Sequence, residues 1–186
     1  MKIVVAQAII KKQCKRLYLQ NNNITASGTS IITAALNNNT ILEILNISNN
    51  HIFDMGVKSI SKINNSVLQV LDLGSNEITD FGIQYLIEML KINQTLLFLG
   101  LAFNKISDQG VQLLVNTLSR HNNRLKELYL NRNRLVTDSS IDALVEMIKS
   151  NRSLTTFSIG HCNLSKNGQK KLRRTTRWKF FFSIQT

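Results

Sequence analysis

Proline is absent from the 186 residues, and there are only two cysteines and three histidines. Two cysteines exclude a disulfide-built scaffold, and so few histidines leave little for a multi-ligand metal centre or histidine-based catalysis. No apolar run approaches the roughly 18 residues that a membrane-spanning helix needs. Hydrophobic residues make up 43% of the chain, too many for disorder, and the length suits one domain over 1–186. What is plentiful is asparagine, at 22 positions, which suggests that one structural role is repeated.

The net charge of +12 raises nucleic acid or an anionic membrane as partner, so its distribution matters. Residues 1–16 hold five basic groups and no acid, and residues 166–186 hold seven and no acid. The 149 residues between carry 11 basic and 11 acidic groups, so the body is formally neutral. The body is not an obvious phosphate-binding surface, and the excess charge lies at the two ends.

The pattern LxxLxLxxNxL occurs six times: CKRLYLQNNNI from Cys14, LEILNISNNHI from Leu42, LQVLDLGSNEI from Leu68, LLFLGLAFNKI from Leu96, LKELYLNRNRL from Leu125 and LTTFSIGHCNL from Leu154. The copies start 28, 26, 28, 29 and 29 residues apart. Apolar residues alternate within each copy, as in Leu71 with Leu73 or Leu99 with Leu101, which predicts a short strand with one buried face. Asn22, Asn50, Asn76, Asn104 and Asn133 follow, where an amide can satisfy the backbone groups of a turn, and Cys162 replaces them in the sixth copy. An acid comes two or three residues past the last apolar position (Asp54, Asp80, Asp108, Asp138) and suits a helix N-cap. Glycine or Ser140 then opens a helical pattern such as Leu86 with Leu90. A strand, turn and helix cannot bury its apolar face alone, but six stacked units can.

In these motifs the chain resembles leucine-rich repeat proteins, and its 26 to 29 residue period with a full helix is similar to the ribonuclease-inhibitor-like subfamily. Units of that kind occur in NOD-like receptors, the Ran GTPase activator and tropomodulin-like actin regulators. The resemblance implies an α/β fold: a right-handed solenoid, a horseshoe arc with a parallel sheet on the concave face and helices on the convex face. It also implies a non-catalytic protein-binding module without cofactors. GTPase regulation is a further possibility by resemblance, although no residue outside the repeat consensus matches that family's catalytic assistance.

An open solenoid needs its ends covered. Residues 1–13 read as an N-terminal half-repeat cap, 14–165 as six repeat cores, and 166–186 as a basic, aromatic C-terminal cap. Trp178, Phe180, Phe182 and Ile184 alternate, which fits a degenerate seventh strand. The alternative is that this segment binds nucleic acid or anionic lipid. Its apolar residues do not recur at helical spacing, which counts against an interfacial amphipathic helix. The two cysteines fall in the first and sixth copies, roughly 24 Å apart across five strand spacings, so they cannot pair; this agrees with a reducing, cytoplasmic setting. Sequons at Asn23, Asn38, Asn46, Asn64, Asn93, Asn151 and Asn163 are expected to recur by chance in so asparagine-rich a chain.

The strand side chains that point away from the core are the candidate site. The third motif position supplies Ile44, Val70, Phe98 and Glu127, the fifth Tyr18, Asn46, Asp72 and Tyr129, and the eighth Phe103 and Arg132. Together they predict a groove with an apolar middle flanked by aromatic and arginine side chains, suited to a protein or peptide. The contrary reading is that Phe98 and Phe103 tuck between strands or cover an oligomer contact. The expected state is a monomer, with weak self-association possible.

Overall fold

The computed structural model describes residues 14–37, 39–63, 67–176 and 181–183. The N-terminal half-repeat, the sequons at Asn38 and Asn64, and Trp178, Phe180 and Ile184 lie outside the described residues. Each motif forms a three-residue strand: β1 (Arg16–Tyr18), β2 (Ile44–Asn46), β3 (Val70–Asp72), β4 (Phe98–Gly100), β5 (Glu127–Tyr129) and β6 (Thr156–Ser158). A seventh strand, β7 (Phe181–Ser183), follows, and all seven pair in parallel and in chain order. The register is one motif position against the same position of the next unit, so Leu17, Leu45, Leu71, Leu99, Leu128 and Phe157 form one row.

Helices connect the strands: α1 (Ala26–Leu36), α2 (Phe53–Ile60), α3 (Asp80–Ile92), α4 (Asp108–Arg120), α5 (Ile141–Ser150) and α6 (Lys166–Thr176). Their apolar stripes close over the strand leucines, giving one continuous core. Helices about 10 Å across stand beside strands about 4.8 Å apart, so the units fan out and the sheet takes the inner face. Within the basic C-terminal segment, Lys166–Thr176 is helical and buries Leu172.

Two asparagine ladders run through the stack. Asn104 is representative of the first: its Oδ1 accepts from the backbone N–H of Asn76 and Ile78 in the preceding unit, both at 3.0 Å. Its amide donates to the carbonyls of Leu73, Leu101 and Ala102. Cys162 keeps one of these bonds, to the Leu130 carbonyl at 3.4 Å, and burial pushes its thiol up to about 11. The second ladder comprises Asn39, Asn93, Asn122 and Asn151, whose Oδ1 atoms accept from the N–H of the leucine that opens the next motif, at 2.7 to 3.0 Å. Asn122 and Asn151 also donate to Leu90 and Leu118 of the preceding helix, at 2.8 and 2.7 Å. The Asn151 sequon is therefore a buried structural position.

Two expectations are corrected. The recurrent aspartates do not cap their own helices; Thr79, Ser107 and Thr137 do. Each aspartate instead grips the cap of the next unit: Asp54 accepts from Thr79 N and Oγ1 at 2.8 and 2.7 Å, and Asp80 from Ser107 N and Oγ at 2.9 and 2.5 Å. The eleventh motif position of the fifth unit is not Leu135. Val136 is fully buried there, and Leu135 is 55% exposed, so this unit carries one extra residue in its turn.

Candidate functional site

The inner face of the sheet is built by register. Ile44, Val70, Phe98 and Glu127 lie side by side in one row, and Tyr18, Asn46, Asp72, Gly100 and Tyr129 in the next. Ile44, Val70 and Phe98 are half-buried, as alternation on a sheet one unit thick requires. The rings of Phe98 and Tyr129 meet with centroids 5.1 Å apart at 34°, a tilted aromatic pair. They flank Gly100, where a Cβ would meet Asp72 Oδ1 at 2.4 Å and Phe98 Cε1 at 3.2 Å. The glycine therefore gives the Asp72 carboxylate and the Phe98 ring their room.

The polar members of the face are oriented by short-range hydrogen bonds. The Tyr129 hydroxyl donates to Glu127 Oε2 at 3.1 Å; burial and then that carboxylate hold the phenol above its ordinary pKa. Asp72 Oδ1 accepts from Gly74 N at 3.0 Å, and Asn46 Oδ1 accepts from Ser48 N and Oγ at 3.0 and 2.7 Å. Tyr18 is 55% exposed on β1, three strand spacings or roughly 14 Å from β4, so it is not gathered with the central pair.

Phe103 and Arg132 do not lie on the strands. Both sit in the turns that follow, in left-handed backbone with φ of 57° and 58°. Phe103 is 54% exposed, and the Arg132 guanidinium stands 5.0 Å over its ring. They line a shallow pocket on the rim together with Glu77, Lys105, Arg134 and Leu135, four residues absent from the set read off the strands. One signal pointed there: Asp138 stands three residues past Leu135, where the other units have two, which betrays the extra residue. Lys105 pairs with Glu77 at 2.8 Å, and this hydrogen bond holds the carboxyl below its ordinary pKa.

On the outer side, Lys149, Lys170, Lys171 and Arg174 line a cleft between α5 and α6 with Val145, Asn167 and Thr175. Lys171 is paired with Asp142. Among the described residues, no group of three or more His, Cys, Asp or Glu side chains is placed to hold a metal ion. No helix among them is long and apolar enough to cross a membrane.

A family model described as Leucine Rich repeat matches residues 38–61, 64–86, 93–115 and 150–172. No curated protein matches the sequence. Among solved structures the chain is similar to actin-binding site 2 of leiomodin-1, at 18% identity and a TM-score of 0.52, over 95% of this chain and 85% of that one. It is also similar to a chain of the yeast Rad7 and Elc1 complex, at 18% identity and a TM-score of 0.39, over 90% of this chain and 56% of that one. At such identity the leiomodin likeness is one of fold.

Proposed function

The chain belongs to the leucine-rich repeat family, and from that premise we propose that it is a non-catalytic protein-interaction module that binds a protein or peptide along the inner face of its sheet. The observation that carries this reading is the aromatic pair Phe98–Tyr129, bordered by the carboxylates of Asp72 and Glu127 and the apolar side chain of Val70, with Ile44 one strand beyond. Rigid aromatic area with oriented polar groups at its edge is how protein interfaces gain affinity and register. The unit length and full helices favour the ribonuclease-inhibitor-like subtype. Two free thiols in the first and sixth units fit a reducing, cytoplasmic setting. In this reading the ordered stack is a single domain, with α6 and β7 covering its last repeat.

The test compares partner capture by the full chain and by the Phe98→Asp, Tyr129→Ala double variant, each first checked for native circular dichroism. A partner that survives high salt and loses tenfold or more in affinity with the variant supports the reading; unchanged affinity sinks it. The cationic cleft between α5 and α6 favours a second reading, in which anionic lipid or nucleic acid binds the C-terminal end. It requires binding that falls steeply with salt and is lost in Lys170→Glu, Arg174→Glu.

A further inference from the structure

The rim pocket beside Phe103 has a composition that folding does not call for. The tenth motif position, at the turn before each helix, is polar in five units: Asn23, His51, Glu77, Lys105 and Asn163. In the fifth unit Leu135 takes that place, forming with Ser107 the bridge that His51 forms with Thr25 and Asn163 with Thr137. The inserted Arg134 displaces it outward, and Val136 already fills the core behind it. The Leu135 side chain, 55% exposed, is thus not part of the core. Its neighbour Phe103 is equally exposed and stands in left-handed backbone, where the first two units use Asn21 and Asn49.

Two arginines complete the pocket. Lys105 is neutralised by Glu77, but among the described residues no ion pair joins Arg132 or Arg134 to an acid. Stacking on Phe103 orients the Arg132 guanidinium, whose planar donors match a carboxylate's two oxygens. The pocket therefore offers apolar walls on two sides and uncompensated cationic donors beside them.

We propose that this pocket receives a large apolar side chain of a partner peptide together with an aspartate or glutamate next to it. The proposal rests on the interaction-module reading and names the partner's chemistry. Phe103 and Leu135 cover the apolar group, while Arg132 and Arg134 hold the carboxylate. A basic segment would meet like charge, and a wholly polar acidic one would leave the apolar walls wet.

Random twelve-residue peptides displayed on phage, panned on the full chain, provide the probe. Enriched sequences are resynthesised, labelled and titrated by fluorescence anisotropy. The expected sequences carry Leu, Ile or Phe within two residues of Asp or Glu. Leu135→Asn and Arg134→Ser, two substitutions of exposed side chains, should each weaken them tenfold or more, as should replacing the peptide's acids by amides. Loss with Phe98→Asp but not with the two pocket variants would overturn the inference and leave the sheet-face reading standing. Loss with the pocket variants but not with Phe98→Asp would establish the pocket as a site separate from the sheet face. Enrichment of basic sequences, of sequences lacking acids, or of nothing would overturn the inference.

Discussion

Phe103 occupies a backbone conformation that suits asparagine better than phenylalanine. At φ of 57° a bulky L-residue gives up on the order of 1–2 kcal/mol, which the Arg132 stacking of about 0.5–1 kcal/mol only partly offsets. Phe103→Asn should therefore unfold at the same or a higher urea concentration than the parent chain, with a gain of about 1 kcal/mol at most. The same substitution should weaken the acidic, apolar peptides sought above. A marked loss of stability would mean that the ring has a packing role. The strand members of the site, Ile44, Val70, Phe98 and Tyr129, were legible in the sequence because alternation assigns their face residue by residue. Leu135 was not, because a single inserted residue in a turn leaves the motif readable in two registers, and the longer spacing to Asp138 was the one sign in the sequence of the second. The second asparagine ladder was hidden for a related reason: its members stand before the motif, and the carbonyls to which Asn122 and Asn151 donate lie one unit back.

At the scale of the element, the point of contact between successive helices is the aspartate of one and the small residue of the next. A Cβ at Gly110 would come within 2.2 Å of Asp80 Oδ1 and 2.8 Å of Ile106 Cγ2. In the fifth unit Ser140 stands at this place, donates its hydroxyl to Asp108, and closes a short 3-10 turn over Asp138–Ser140 before α5 begins. Gly110→Ala should cost about 2 kcal/mol by overpacking. Gly110→Ser should cost less, since its hydroxyl can give Asp80 a hydrogen bond as Ser140 gives Asp108. Equal losses for both, measured by urea unfolding, would show that the backbone yields and the hydrogen bond adds nothing. Strand and helix positions followed from periods of 2 and 3.6 in the apolar residues. The role of the aspartates did not, because a residue at the start of a helix looks like a cap until the neighbouring unit is in place.

For the whole molecule the same aspartates become couplings along a one-dimensional stack, in which each unit is stabilised only by its neighbours. Asp108 accepts from Thr137 N and Oγ1 at 2.8 and 2.6 Å and from Ser140, joining α4 to the fifth unit. Burial raises its pKa, but the hydrogen bonds from Ser140 and Thr137 outweigh it, and the carboxyl lies below its ordinary value of 3.8. A carboxyl depressed in this way contributes stability that is fully present above its unfolded value and is lost as pH falls through its folded one. The urea midpoint of the parent chain should hold between pH 7 and 5 and fall below about pH 4. Asp108→Asn should start lower at pH 7, because the joint is already weakened, and then lose less on acidification. Because α5 and α6 reach the rest of the core across that joint, their amides should exchange faster than those of α3 in Asp108→Asn, while all three exchange together in the parent. An acid slope unchanged by the substitution, or uniform exchange across the stack, would place the coupling in the apolar contacts between units and reduce the aspartate to a local ornament of the turn.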